Sequence, residues 1–321
     1  MQAVVYTRYG PPEVLRVAEV PTPSPGTDEV LVRVRAVSLN RSDWEGLTGK
    51  PLYARFGGPF RPLRPTLGSD IAGHVEVVGA AVTRFRPGQA VYGDILERLG
   101  GFAQYVCVPE RMLEPVPEGL DLETAACLPQ AGAIALQGIV GVGSVHSGQR
   151  VLVNGGGGGS GRYAIQLAKL HGAEVTGVDN AAKLDFMRSL GADHVLDYAA
   201  MDFTRQGRTY DLILDLVAHR SVADYRRALA DNGRYLYVGG SMSTLLRVLV
   251  LGPLLGRRGG RRVGMLAVRQ GVRRLGPLVD LCRDGKIRTV IDRRFTLAEV
   301  PDALRYLGDG RARGKVVITV G

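Results

Sequence analysis

The sequence predicts an α/β protein: a doubly wound parallel sheet with helices on both faces, accompanied by a smaller, mostly β domain. Three observations predict it. Between residues 123 and 268, β-branched runs alternate with helical segments, the rhythm of consecutive βαβ units. Residues 1–122 instead hold short Val- and Leu-rich runs broken by Pro and Gly, the pattern of a small barrel. Residues 269–321 return to mixed character and are read as a third stretch that rejoins the first domain.

In the first part, runs at 2–6, 15–20, 29–37, 73–78, 90–92 and 101–108 read as strands. Pro11-Pro12, the stretch 21–26 and Pro87-Gly88 separate them. Near Leu122 the rhythm becomes helical over 122–140, interrupted at Pro129. Strands are then expected at 150–154, 174–178, 194–196, 212–216 and 234–238. Helices follow the first of these, begin again at Ala181, recur briefly after 196, and start once more at Ser221. Residues 262–268 supply a sixth strand, and such alternation builds a parallel sheet. The last part reads as a helix at 275–282, a strand at 289–292, a helix at 298–307 and a strand at 315–320.

The most informative stretch spans the first two strands of the alternating part. Val151-Leu152-Val153 runs into Gly155, Gly156, Gly157, Gly158, Gly159, Ser160 and Gly161. A helix patterned by Ile165, Leu167, Ala168 and Leu170 comes next, and the following strand ends on Asp179. Strand, glycine turn, helix, strand and acid form a dinucleotide-binding unit. Glycines let the chain turn tightly and let a pyrophosphate reach backbone amides at a helix start. The acid accepts hydrogen bonds from ribose hydroxyls. Val217 and Ala218 follow the fourth strand, and Gly239, Gly240 and Ser241 follow the fifth. Ligands sit at the carboxyl ends of parallel strands, so these five are expected to line the nicotinamide half.

The chain has 321 residues, enough for two domains, with the apolar and charged fractions of a globular protein. Its net charge of +10 is almost wholly arginine, since Lys50, Lys169, Lys183, Lys286 and Lys315 are its lysines. Such charge attracts anionic partners, but arginine spread over solvated surface accounts for it, and no nucleic-acid partner is expected. Cys107, Cys127 and Cys282 form no close pair, so neither a disulfide framework nor a zinc ribbon is indicated. The apolar run 245–256 contains Arg247 and Pro253 and is too short to span a bilayer. With no signal-peptide pattern at the start, a cytoplasmic setting is expected.

The order of these parts resembles the medium-chain dehydrogenase/reductase superfamily, within it the zinc-independent quinone oxidoreductase and enone reductase branch. The stretches that carry the resemblance are Ser38-Leu39-Asn40-Arg41-Ser42-Asp43-Trp44, Leu67-Gly68-Ser69-Asp70-Ile71-Ala72-Gly73, and Arg86-Pro87-Gly88-Gln89-Ala90-Val91. Further ones are the run 190–198 and Ala312-Arg313-Gly314-Lys315-Val316-Val317. The resemblance implies a GroES-like β-barrel catalytic domain with a Rossmann domain, a nicotinamide cofactor and hydride transfer. It also implies a homodimer in which 262–268 pairs with its two-fold mate. Where the zinc-dependent branch places Cys, His-Glu and Cys or His, this chain has Asn40, Ser69-Asp70 and Gln130. None is a thiolate or imidazole, so no metal is expected.

Without a metal, hydrogen bonds must polarise the carbonyl that accepts hydride. By match to the family's active-site loop, the catalytic candidates are Asn40 as amide donor, Tyr53 as a phenol that donates or protonates, and Asp43. Asp43 has a second reading as cap of a helix beginning at Trp44. Lys183 and Tyr198 match positions that hold the 2′-phosphate in NADPH-using relatives, and Arg313 is expected to bind cofactor by the same resemblance. Asp179 departs from those relatives and favours NADH, so use of both NADPH and NADH is expected. The substrate is expected to be a quinone or an α,β-unsaturated carbonyl. Two alternatives stay open: dehydrogenation of a secondary alcohol without zinc, and a non-enzymatic cofactor-sensing binding protein.

One segment stands apart. Residues 242–275 contain eight arginines and no acid, with Leu and Val among them. They read as a helical insertion with arginines in solvent, or as a basic amphipathic lid that touches membrane; the insertion is the favoured reading.

Overall fold

The structure, a computed structural model, describes residues 1–55, 58–255 and 258–321. Gly256, at the end of the apolar run, and Arg257, in the arginine-rich segment, lie outside the described residues. Met1–Gln130 and Gln270–Gly321 form one unit, Ala131–Arg269 the other.

The first unit begins with β1 (Gln2–Val5), β2 (Arg16–Glu19), β3 (Glu29–Ser38), α1 (Arg41–Thr48), β4 (Asp70–Val78), β5 (Ala90–Asp94), β6 (Tyr105–Pro109) and β7 (Leu113–Pro115). Two short helices follow, α2 (Leu122–Ala126), which belongs to this unit, and α3 (Pro129–Leu136), most of which belongs to the second. In the second unit come β8 (Arg150–Asn154), α4 (Gly161–Leu170), β9 (Glu174–Asp179), α5 (Leu184–Ser189), β10 (His194–Asp197) and β11 (Tyr210–Asp215). It closes with α6 (Val222–Arg227), β12 (Leu229–Tyr237), α7 (Met242–Leu255) and β13 (Arg262–Met265). The chain then returns to the first unit as α8 (Gly276–Arg283), β14 (Ile291–Thr296), α9 (Val300–Gly308) and β15 (Lys315–Thr319).

β3 is the spine of the first unit. Its first half pairs with β6, its last residues pair with β15, and β4 runs along its other side. Val30, Val32 and Val34 of β3 are buried with Ile71 of β4 and Val316 and Ile318 of β15. β-branched side chains suit this pleated surface, and each contributes roughly 1.5–3 kcal/mol by leaving water. The C-terminal strand is thus part of a core begun some 280 residues earlier in the chain, which is why 270–321 belongs to this unit.

The second unit is a six-stranded parallel sheet in the order β10-β9-β8-β11-β12-β13. The order reverses between β8 and β11, the switch point at which doubly wound sheets bind ligands. Leu152, Ile213 and Tyr235 on neighbouring strands are buried together. Among the described residues no helix is long and apolar enough to cross a membrane.

Three features depart from the sequence reading. The first boundary falls at 130 rather than 122, because α2 packs against β3 and β4 and so stays with the first unit; the second falls at 269 rather than 268. The short helix expected after 196 is a run of turns. There the Asp197 and Asp202 side chains accept the amides of Ala199 and Thr204, at 3.0 and 2.8 Å, and such local acceptors compete with helical bonding. Finally, 242–275 is no insertion: α7 leads into the sixth strand, β13, which pairs in parallel with β12.

Candidate active site and cofactor site

The chain turns as soon as β8 ends. Gly155 takes φ +85°, which strains any residue with a Cβ. The amides of Gly155 and Gly156 donate to the Val178 carbonyl at 2.8 and 3.0 Å. Gly161 opens α4 so close to this turn that a Cβ would lie 2.2 Å from the Gly155 carbonyl oxygen. Above Gly158, by contrast, the nearest atom to an added Cβ is 3.3 Å away. This leaves a shallow cradle over the start of α4, where the helix dipole favours an anion.

Asp179 ends β9 against the same turn. Its carboxylate accepts the Gly157 amide at 3.0 Å and the Asn180 amide at 2.9 Å, and pairs with Lys183 Nζ at 3.4 Å. Both charged side chains are buried. Tyr198, just past β10, donates its amide to the Asp179 carbonyl at 3.1 Å and leaves its ring exposed. Gly155–Gly161, Asp179, Lys183 and Tyr198 therefore gather at the carboxyl ends of three adjacent strands.

At the switch point, Asn154 Nδ2 donates to Asp215 Oδ1 at 2.7 Å. Asp215 also accepts the Val217 amide at 3.2 Å and the Tyr235 hydroxyl at 2.9 Å. Burial pushes its carboxyl above the usual range, against these donors. Tyr235 stacks on Tyr225 with ring centroids 4.0 Å apart. The Tyr225 hydroxyl accepts the amides of His219 and Arg220 at 3.1 and 3.0 Å. Residues 217–220 are thus fastened from beneath. Val217 is exposed, while Ala218 is buried and exchanges backbone bonds with Gly239 and Ser241. Ser241 Oγ accepts the Thr244 amide at 3.1 Å, which caps α7. The five residues expected after β11 and β12 stand together.

In the first unit, Asn40 precedes α1, which begins at Arg41 rather than Trp44. The N-cap is Asn40, and Asp43 takes part in capping from the third helical position: its carboxylate reaches back to accept the Asn40 amide at 2.8 Å, as in a capping box, and also takes the Gly68 amide at 3.1 Å. Lys315 of β15 is buried, with Nζ donating to Asn40 Oδ1 at 2.6 Å and to the Leu39 carbonyl at 2.9 Å. The same ammonium lies 3.9 Å from Asp70. Asp70 faces Asp94 across β4 and β5 and accepts the Gln130 amide at 3.1 Å. Burial drives its carboxyl well above the usual range, Lys315 draws it back down, and Asp94 raises it further. Gln130 Nε2 donates to Ser69 Oγ at 2.7 Å, and Ser42 Oγ donates to Gln130 Oε1 at 3.0 Å. Asn40, Ser69, Asp70 and Gln130 are therefore knit into one polar network with an ammonium in it. Among the described residues no group of three His, Cys, Asp or Glu could hold a metal ion.

Tyr53 takes no part in the Lys315 bonds just given. It lies on a 3₁₀ turn, Leu52–Arg55, and donates its hydroxyl to Glu45 Oε2 at 3.3 Å. Arg313, in the first unit, is exposed and its amide donates to Asp292 Oδ2 at 2.9 Å.

Asp43 carries a pH prediction. Burial pushes its carboxyl from 3.8 up to about 6, with the Asn40 amide, Lys315 and the Gly68 amide opposing. The folded state then holds the proton more tightly than the unfolded chain, so this contribution to stability falls as pH rises from about 4 to about 6 and is constant above. The loss should be about 3 kcal/mol at 1.36 kcal/mol per pKa unit. Urea unfolding of wild type and Asp43→Asn at both ends of that window checks it. The difference between the two proteins should move in favour of the variant by that amount; an unchanged difference would overturn the assignment.

Sequence reasoning missed Lys315, Asp94, Asn154, Asp215 and Tyr235, and considered Asp70 and Gln130 only as non-ligands. One signal was available: Lys315 leads an otherwise apolar strand, Val316, Val317, Ile318, and a lysine so placed calls for a buried partner.

Comparison with known proteins fits this geometry. Residues 26–118 match the alcohol dehydrogenase GroES-like domain family, and 190–318 match the family described as zinc-binding dehydrogenase. The chain is 32% identical over 333 residues to the chloroplastic quinone-oxidoreductase QR1 of Triphysaria versicolor, covering 99% of this chain and 98% of that one. It is 31% identical over 330 residues to the chloroplastic NADPH-dependent alkenal/one oxidoreductase of Arabidopsis thaliana, with 99% and 79% covered. The solved quinone oxidoreductase of Coxiella burnetii superposes with a TM-score of 0.90 at 30% identity, covering 100% and 99%.

Proposed function

The chain belongs to the quinone oxidoreductase and enone reductase branch of the medium-chain dehydrogenase/reductase superfamily, and we propose that it transfers hydride from a nicotinamide dinucleotide to a quinone or an α,β-unsaturated carbonyl. The observation that carries this reading is the glycine turn locked to Asp179 and Lys183 at the carboxyl ends of β8 and β9. The cradle over Gly158 and the start of α4 fit a pyrophosphate, and Val217, Ala218, Gly239, Gly240 and Ser241 fit the nicotinamide half. A bound nicotinamide supplies hydride from its C4. What this chain's residues contribute is orientation and a proton. The Asn40 carboxamide is held by Lys315, so it serves as a fixed wall. Tyr53, aimed by Glu45, is the phenol left to polarise or protonate the substrate oxygen, with Asp43 holding the Asn40 loop in place.

Reduced-cofactor oxidation against a panel of small quinones and enones tests the function. Cofactor turnover with none of them favours a binding protein on the same fold. The secondary-alcohol reading is disfavoured because the expected ligand positions hold Asn40, Ser69-Asp70 and Gln130, none of them a thiolate or imidazole. For the same reason we infer a zinc-free enzyme. Elemental analysis showing about one zinc per chain, lost together with activity on chelation, would overturn that inference. Among the described residues nothing pairs with the outer edge of β13, and oligomers cover edges of this kind. We accordingly propose a cytoplasmic homodimer paired along β13.

Cofactor choice follows from the Asp179–Lys183 pair. Alone, the carboxylate would repel the 2′-phosphate of NADPH by about 1–2 kcal/mol after screening. Paired with Lys183 and two amides it is largely neutralised, so both cofactors should be used within about a hundredfold. Asp179→Ser should shift preference towards NADPH and Lys183→Ala towards NADH, each by about tenfold. kcat/KM for both cofactors on the three proteins decides it. An unchanged ratio in Asp179→Ser would mean that Asp179 does not face the ribose.

A further inference from the structure

Glu45 sits mid-helix on α1, yet it does not project into open water as an ordinary helical surface acid would. Its side chain is 14% exposed, and its two oxygens are divided between two partners. Oε1 pairs with Arg41 Nε at 3.5 Å, and Oε2 accepts the Tyr53 hydroxyl at 3.3 Å. Arg41, one turn earlier, is 65% exposed, so the line from Tyr53 through Glu45 to Arg41 leads from the phenol to solvent. A chain reversal makes this meeting. Gly49 ends α1 at φ +62°, and Arg55 Nε fastens the return by donating to the Gly49 carbonyl at 2.9 Å.

The other charged and titratable groups of α1, and of the 3₁₀ turn and α9 packed on it, have other partners. Asp43 holds the Asn40 and Gly68 amides, and Arg55 lies over the Tyr9 ring. On α9, Arg305 pairs with Asp302 and Glu13, and Tyr306 donates to Asp292. Burial lifts the Glu45 carboxyl above its ordinary 4.5, while Arg41 and the Tyr53 hydroxyl oppose the rise. Glu45 therefore exchanges its proton nearer to neutrality than an exposed glutamate does.

We propose that Glu45 is the proton gate of Tyr53: the phenol gives its proton to the substrate when Glu45 itself carries one. This rests on the reading of Tyr53 as the proton donor. Each reduction leaves a negatively charged oxygen on the substrate, an enolate or a quinolate, which must gain one proton. With Glu45 ionised, the Tyr53 proton is bonded to Oε2, and losing it to substrate would set a phenolate against a carboxylate, an arrangement that like charge opposes. With Glu45 protonated, its own O–H donates to the phenol oxygen. The Tyr53 O–H bond then breaks as an O–H bond forms on the substrate. The carboxyl proton passes to the phenol oxygen, and the carboxylate recovers a proton from water.

Single-turnover reduction of a small enone by the NADPH-loaded enzyme, followed against pH, tests this. The wild-type rate should fall about tenfold per pH unit once Glu45 ionises. Glu45→Gln, whose amide donates to the phenol oxygen at every pH, should be flat over the same range. Arg41→Gln should move the fall to higher pH, because the carboxylate loses its cation. Tyr53→Phe should lose about a hundredfold at every pH. A wild-type pH profile in Glu45→Gln overturns the gate and leaves Tyr53 its role, whereas a wild-type rate in Tyr53→Phe overturns the donor reading and the gate with it. A second readout needs no substrate: carboxyl-carbon NMR titration of glutamate-labelled protein, with Glu45 assigned by the signal lost in Glu45→Gln. Its midpoint should rise in Tyr53→Phe, where no phenol stabilises the carboxylate. An unmoved midpoint overturns the proposal.

Discussion

Replacing Lys315 with Met is expected to lower the unfolding free energy by about 3–5 kcal/mol, the range found when one partner of a buried ion pair is removed. The ammonium compensates Asp70 at 3.9 Å and satisfies Asn40 Oδ1 and the Leu39 carbonyl. Without it, Asp70 stays buried beside Asp94, with the Gln130 amide remaining as a donor. The loss should be largest near neutral pH. It should shrink in acid, where Asp70 takes up a proton and no charge remains to compensate. Asp70→Asn in the Lys315→Met background should restore part of the stability, because a neutral amide has no charge to desolvate. Urea unfolding of the four proteins of this cycle measures the coupling. Independent, additive effects of the two substitutions would show that Lys315 and Asp70 are not a pair.

Gly161→Ala is expected to disable the cofactor site. The new Cβ would stand 2.2 Å from the Gly155 carbonyl oxygen and 2.6 Å from the Gly156 Cα. Both are backbone atoms in a turn tied to the Val178 carbonyl, so nothing flexible can yield. Either α4 moves away or the turn opens, at a stability cost of about 3 kcal/mol. Dinucleotide affinity should fall by about a hundredfold, the equivalent of about 2.7 kcal/mol. Gly158→Ala is the comparison for stability: its added Cβ would meet the Gly155 carbonyl oxygen at 3.3 Å rather than 2.2 Å, so its melting temperature should fall much less than that of Gly161→Ala. Isothermal titration with NADPH and NADH reads the affinity. Wild-type affinity in Gly161→Ala would remove the glycine turn from the cofactor site.

Much of this protein is decided locally, and the sequence alone carries that part. The glycine run, the Ile165-to-Leu170 helix and Asp179 lie within thirty residues, and a turn, a helix start and a strand end are set by their own residues. The alternation of β-branched and helical segments determined the parallel sheet, and the absence of Cys and His at the expected ligand positions determined the reading without metal. Where local rules competed, prediction failed: Asp197 and Asp202 captured backbone amides and replaced the expected helix after β10 with turns. Only the tertiary structure decided what joins distant residues. Lys315 meets Asn40 because β15 pairs with β3. Asp70 meets Asp94 through strand register, and Asn154 meets Asp215 because the strand order reverses between β8 and β11. Likewise, the leucines of α7 announce themselves in sequence, but which of them face water depends on how the helix packs on β13. Periodicity reports that a residue is apolar or charged; its partner is chosen by long-range pairing, where burial makes an unmatched charge costly.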